Sequence, residues 1–257
     1  MNSFEVVFLG TGTSQGVPVI GCNCDVCTST NPKDKRLRTS ALIKIKDQTF
    51  VIDTGPDFRQ QMLREDVQNL DAVLFTHEHK DHIAGLDDIR AFNFKSKMDM
   101  PVYLSDRVLI GLKKEFHYIF SEYTYPGIPK IQLNLIDKVP FNVNGINIQP
   151  IEVMHYQLPV TAFRIGDFAY ITDANFVSEK EMEKLVGVKF LVINALRQEQ
   201  HISHFNLAEA LAFIDRIKPN KAYLTHISHL MGQHDEINST LPSNVSIAHD
   251  GLKISVH

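Results

Sequence analysis

Apolar runs of strand length recur along the chain, either alternating with polar residues or staying apolar throughout. In the first part they cover Phe4 to Leu9, Ser40 to Ile45, Thr49 to Ile52, Ala72 to Phe75 and Val102 to Leu104. Further on they cover Ile146 to Val153, Thr161 to Ile165, Phe168 to Ile171, Phe190 to Ile193, Ala222 to Leu224 and Leu252 to Val256. Short runs of this kind, bounded by turn residues, predict β-strands. Helical periodicity interrupts them over 57–65, 83–94 and 207–217, where Leu207, Ala210, Leu211 and Ile214 share one stripe. Ser178 and Glu181 have the spacing of a helix cap and its box partner. Two groups of strands, each accompanied by helices, predict a layered α/β architecture. No repeat, low-complexity tract or linker is evident, so one domain over 1–257 is expected. The stretch from Gly12 to Arg38 reads as a long loop, and loops of that length tend to be functional or stapled.

Four of the apolar runs end in a ligand-type residue beside threonine: Phe75-Thr76-His77, Ile171-Thr172-Asp173, Leu224-Thr225-His226 and Ile52-Asp53-Thr54. Asp and His are common in turns, so any one run alone would read as a strand ending in a polar turn. All four together point to one rim of a sheet system, where rigid scaffolds place chemistry. The run ending at Thr76 leads into His77-Glu78-His79-Lys80-Asp81-His82. On extended backbone, residues two apart face the same way, so His77 and His79 can meet one ion. Asp81 and His82 lie across the turn and can meet a second. Neutral imidazole and carboxylate are ligands for zinc, manganese or iron, so the loop predicts metal binding.

Composition narrows the classes. The chain has 257 residues, a hydrophobic fraction of 44% and a net charge of −4. That suits one sizeable core and gives no extended basic face for nucleic acid. No apolar run approaches the roughly 20 residues that span a bilayer, and Met1 to Glu5 lacks the basic region of a secretion signal. A cytoplasmic location without a membrane partner is expected. Cys22, Cys24 and Cys27 all fall within six residues. Three thiols so close make a poor disulfide framework and a better thiolate metal clamp. The Cys22-x-Cys24 spacing is also not that of a Cys-x-x-Cys redox pair, and no fourth cysteine completes a cluster.

The His77–His82 loop resembles the His-x-His-x-Asp-His loop of the metallo-β-lactamase superfamily. The resemblance runs from Phe8-Leu9-Gly10-Thr11-Gly12-Thr13-Ser14 to Ala248-His249-Asp250-Gly251. It implies a four-layer αβ/βα sandwich with the metals at one edge of the sheets. Gly12 to Pro18, the Cys22/Cys24/Cys27 cluster and Thr225-His226-Ile227-Ser228-His229 are similar to the branch that contains phosphoribosyl cyclic phosphate phosphodiesterases. That branch implies one catalytic metal on His77, His79 and His155, a second on Asp81, His82 and His226, and Asp173 bridging them. It also implies a structural zinc on Cys22, Cys24, Cys27 and His229, which would staple the long loop.

The reaction implied is hydrolysis of a small cyclic or nucleotide-like phosphodiester by a hydroxide shared between two divalent metals, Zn, Mn or Fe. His204 is expected to meet the phosphate as the catalytic partner, unless its segment serves only as a helix cap through Ser203 or Asn206. Asp53, and more weakly Asp250, are expected to orient a ligand or the loop. Lys80, His117 and His257 are expected at the surface. His201 is a weaker candidate for the same pocket, and His234 and His249 receive no role. A homodimer is the expectation by analogy. The alternatives are a transfer-RNA 3′ endonuclease, a thioester or lactone hydrolase, and a non-enzymatic metal carrier. The nuclease needs a basic projecting arm that the sequence does not offer.

Overall fold

A computed structural model describes residues 3–122 and 125–257. In chain order the strands are β1 (Phe4–Gly10), β2 (Ser40–Ile45), β3 (Gln48–Ile52), β4 (Ala72–Leu74), β5 (Met100–Leu104), β6 (Ile131–Leu135), β7 (Phe141–Val143), β8 (Ile146–His155), β9 (Leu158–Ile165), β10 (Phe168–Ile171), β11 (Phe190–Asn194), β12 (Lys221–Thr225), β13 (Val245–Ile247) and β14 (Lys253–Val256). The helices are α1 (Asp25–Thr28), α2 (Phe58–Arg64), α3 (Lys80–Ile83), α4 (Arg90–Ser96), α5 (Asp106–Glu115), α6 (Glu179–Glu183), α7 (Leu207–Ile217) and α8 (His234–Thr240).

Period-two alternation builds the layers. In β1, Phe4, Val6 and Phe8 face one buried cluster while Val7 and Leu9 face another. In β10, Phe168 and Tyr170 join the first cluster while Ala169 and Ile171 join a third. The shared cluster is the seam between two seven-stranded sheets, ordered β14-β1-β2-β3-β4-β5-β6 and β13-β12-β11-β10-β9-β8-β7. The outer cluster of the first sheet takes in Phe58, Met62, Phe92, Val108 and Leu112 from α2, α4 and α5. That of the second takes in Met182, Ala210, Phe213 and Ile214 from α6 and α7. The result is the expected four-layer αβ/βα sandwich. Both sheets are mixed: β3-β4-β5-β6 and β10-β11-β12-β13 are parallel, and the other neighbours are antiparallel.

Two expectations are corrected by the structure, and some elements escape the sequence pattern. The helix read over 83–94 is broken into α3, a 3₁₀ turn and α4. A Cβ at Gly85 would stand 2.2 Å from the Gly55 carbonyl oxygen, so the chain must bend there to let two backbones meet. Strands β6, β7 and β13 do not stand out in the pattern. At α6, Ser178 accepts from the Glu181 N–H, but the Glu181 carboxylate turns away to accept from the Glu152 N–H instead of closing the box. The full capping box belongs to Asn206 and Glu209 at α7, which makes Asn206 the cap. Among the described residues no helix is long and apolar enough to cross a membrane.

Candidate metal centre

The four runs that end in ligand-type residues do share one rim. Asp53 follows β3, His77 follows β4, Asp173 follows β10 and His226 follows β12. Asp53, Asp173 and His226 have left-handed backbone, with φ of 64°, 54° and 57°. L-residues rarely adopt this conformation, and where it occurs it often marks a functional turn. It swings each side chain back over the strand ends.

The carboxylate of Asp173 is the hub. It forms one donor group with Asp81, His82 and His226, a second with His77 and His79, and a third with His155 and His204, the donor atoms of each group lying within 4.8 Å of one another. All the residues expected at two catalytic metals are therefore brought together. His155 differs in detail: it groups with Asp173 and His204, its ring 5.1 Å from that of His79 and 5.9 Å from that of His77.

The outward-facing nitrogens fix how the imidazoles present themselves. His82 Nδ1 lies 2.7 Å from Asp53 Oδ2, and a carboxylate can only accept, so Nδ1 carries the proton and Nε2 is left facing Asp81 and Asp173 at 3.2 and 3.4 Å. His155 Nδ1 donates to the Ser203 carbonyl at 2.8 Å. Asp53 is fully buried and also accepts from the Thr76 backbone N–H and hydroxyl at 2.9 and 2.8 Å, which ties β3 to the start of the metal loop. The loop is seated from below as well: Thr54 N–H donates to the His82 carbonyl, and a Cβ at Gly55 would stand 2.3 Å from the Asp81 carbonyl oxygen.

His77 Nε2, His82 Nε2, His226 Nδ1 and His204 Nδ1 are buried without a hydrogen-bond partner in the protein. Buried polar atoms are rarely left so, and orphaned nitrogens converging on a carboxylate hub fit divalent cations. Burial would lower His82, yet Asp173, Asp81 and Asp53 outweigh it and hold the imidazole well above its ordinary value. Burial would raise Asp173, yet His226, His82 and His77 pull it well below the carboxylate range. Burial and the neighbouring histidines lower His77 and His79. For His204, burial is the main cause, and the value falls to about 3.

A second cluster lies in the 12–38 loop. Cys22 Sγ and Cys24 Sγ each stand 3.3 Å from His229 Nδ1, and Cys27 completes a group within 4.8 Å. A backbone N–H from Cys27 and the His229 ring lower the Cys24 thiol to about 6, a thiolate-favouring environment, whereas burial raises Cys27 to about 11. Three thiols and one imidazole are the donor set of a closed tetrahedral zinc site. The same loop is laced to the His226 segment, because Thr13 N–H donates to the Ile227 carbonyl, Ile227 N–H donates to the Thr11 carbonyl, and Thr13 Oγ1 lies 3.3 Å from His226 Nε2.

These contacts bear on identity. The segment 48–227 matches the beta-lactamase superfamily domain. The chain belongs to the metallo-β-lactamase superfamily. It is 36% identical in sequence to a diphosphatase from the PhnP family, with a TM-score of 0.93 over 99% of this chain and 98% of that one. Zn(2+)-bound PqqB from Methylobacterium extorquens has the same fold at 19% identity and a TM-score of 0.78, covering 97% and 99% of the two chains. An octanoyltransferase of Porphyromonas gingivalis is 39% identical over 251 residues, which is 96% of this chain but 50% of that protein. The chain thus spans half the length of that curated relative. Within the superfamily the chain resembles PhnP.

Other expected residues fall as follows. Asp250 lies away from the metal groups, where it accepts from Thr11 and from the Leu37 N–H and so holds the ends of the long loop. His201 stands beside His204, ring centroids 5.2 Å apart. Lys80 is exposed and pairs with Glu115, and His117 and His257 are exposed. His234 is buried and accepts at Nδ1 from Arg36. Thr13 belongs to the motif that carries the resemblance but was given no role, and Arg107 was not singled out in the sequence. Arg107 Nε donates to Glu78 at 2.7 Å and lines the cavity beside His79 and His155. Nothing local in the sequence marks Arg107 or the contact of Thr13 with His226, since both arise through the fold.

Proposed function

We propose that the protein hydrolyses a small phosphodiester or diphosphate with two divalent ions at the Asp173 hub, and that Cys22, Cys24, Cys27 and His229 hold a structural zinc. Asp81, His82 and His226 would hold one catalytic ion and His77, His79 and His155 the other, with Asp173 between them. When bound, the ions supply Lewis acidity, an acidified water and a clamp on the phosphoryl oxygens.

His204 carries the choice of phosphoryl chemistry. Its ring stacks on His226 at 4.9 Å and lies 4.4 Å from His155, so it sits beside the expected ligands, with Nδ1 buried and unpartnered. As a neutral imidazole it offers one N–H to an oxygen that gains charge as the ester bond breaks. Asn206 caps α7, so the helix needs nothing from His204. The resemblance to a PhnP-family diphosphatase over nearly the whole chain supports the same class. The octanoyltransferase relative favours one second reading, hydrolysis of an acyl thioester by the same ions.

The deciding experiment sets bis(p-nitrophenyl) phosphate, a ribose 1,2-cyclic phosphate, a dinucleoside diphosphate and an acyl thioester side by side, with metal analysis of the same sample. Turnover of the phosphate substrates, with kcat reduced about 10²- to 10³-fold in His204→Ala, is the expected result. A preference for the thioester would replace this reading with the second one. Full phosphodiesterase activity in His204→Ala would remove the role given to that residue.

A further inference from the structure

Beside the donor groups a cavity of about 520 Å³ opens over His79 and His155 and is walled in part by Arg107, Tyr156, Leu158 and Ile202. Tyr156 turns the β8–β9 hairpin with φ of 58°, a left-handed conformation that is costly for a bulky L-residue and that glycine or asparagine adopts more readily. Packing does not repay that cost, because the residue is 53% exposed. Ile202 beside it is 67% exposed. One side chain sets both positions: Asn175 Oδ1 accepts from the Tyr156 N–H at 2.8 Å, and Asn175 Nδ2 donates to the Ile202 carbonyl at 3.0 Å. A strained aromatic and an exposed aliphatic residue are thus pinned to the mouth of the site by a common amide. Strained backbone of this kind clusters at active sites and ligand clamps.

We propose that Tyr156, backed by Ile202, is the platform on which a planar aromatic group of the substrate stacks while its phosphate reaches the Asp173 hub. The favoured substrate is then a nucleotide-type phosphodiester or diphosphate in preference to a purely aliphatic one. This rests on the phosphoryl reading above and narrows it.

The test is calorimetric titration of the metal-loaded full chain with adenosine 5′-monophosphate and with ribose 5-phosphate, which share sugar and phosphate and differ by the base. The wild type is expected to bind the nucleotide about tenfold more tightly, the range of base–aromatic stacking. Tyr156→Phe should keep that ratio. Tyr156→Asn should bring it close to one while leaving the melting temperature unchanged or raised, since the left-handed turn is relieved. Equal affinities in the wild type, or an undiminished ratio in Tyr156→Asn, would overturn the platform. A lowered melting temperature in both variants would also overturn it, because the residue would then be structural. If neither phosphate binds and only the thioester is hydrolysed, it is the phosphoryl reading that fails.

Discussion

Replacing Asp53 by asparagine tests how the metal loop is armed. Asp53 is fully buried, and its carboxylate accepts from Thr76 N, Thr76 Oγ1 and His82 Nδ1. An asparagine of the same shape keeps one acceptor for the Thr76 N–H. Its amide nitrogen then meets His82 Nδ1–H donor to donor. Relief comes when the imidazole changes tautomer, which moves the proton to Nε2. That nitrogen faces Asp81 and Asp173 at 3.2 and 3.4 Å, so the lone pair meant for a cation is lost. Loss of a carboxylate behind a metal-binding histidine weakens metal affinity about 10- to 100-fold, or about 1.4–2.7 kcal/mol.

Stability should fall by a separate and smaller amount. Charge-assisted hydrogen bonds to a buried carboxylate become neutral ones, at a cost of about 1–3 kcal/mol. For a chain of this size that lowers the melting temperature by about 2–10 °C. The assay is competition of the purified variant with a chelator, metal by metal, with calorimetry on the metal-free form. The expected loss is confined to ions at the Asp173 hub, and the ion at Cys22, Cys24, Cys27 and His229 stays. A folded Asp53→Asn that holds all its metals with wild-type affinity would refute the tautomer argument.

The thiol cluster and the core give two further predictions. Cys24→Ala should lose one zinc per chain and lower the melting temperature, because closed zinc sites contribute folding energy; unchanged zinc content and melting temperature would remove the structural-site assignment. His234 has its value lowered to about 4 by burial and by Arg36, whose Nη2 lies 3.1 Å away. The folded value is depressed, so the native state refuses a proton that the unfolded chain takes near pH 6.5. Stability is complete above that pH and is lost as the pH falls from about 6.5 toward 4, by at most about 3 kcal/mol. Melting curves between pH 7.5 and 5 should be flatter for His234→Gln than for the wild type, and identical slopes would contradict the coupling to Arg36.

Much of the fold was legible because local pattern and tertiary role coincide. Strands such as β1 and β10 divide their residues between two cores, and that division is written as alternation. The rim was legible for the same reason, since each run switches from apolar to ligand-type residues where its strand ends. What escaped depends on distant contacts. Strand β6 lies at a sheet edge with Leu133 and Leu135 exposed, so its leucines follow no burial pattern. The break in 83–94 falls at Gly85, whose backbone packs against Gly55 thirty residues earlier, and no helical periodicity records that contact. Thr13 reaches His226 across 213 positions of sequence, and Arg107 reaches Glu78 across 29.

The threonines beside the rim residues show how far a sequence signal carries physics. Thr76 gives Asp53 both its backbone N–H and its hydroxyl, and Thr172 donates its hydroxyl to Asp173 Oδ1. These two hold carboxylates whose backbone is left-handed, a conformation costing about 1–3 kcal/mol each that persists only where its surroundings determine it. The hydroxyls of Thr54 and Thr225 are buried without partners. At those two turns the backbone is fixed by other means: Thr54 N–H donates to His82 and its carbonyl accepts from Gly85, while Ala195 N–H donates to the Thr225 carbonyl. The same residue type at equivalent strand ends therefore serves as a carboxylate clamp at two turns and as a buried turn residue at the other two. The clamped residues include Asp173, the one side chain common to all three donor groups. The two ions proposed at this hub thus depend on a turn held twice, by the Thr172 hydroxyl on the Asp173 carboxylate and by the Asn194 amide, which pairs with both backbone groups of Ala174.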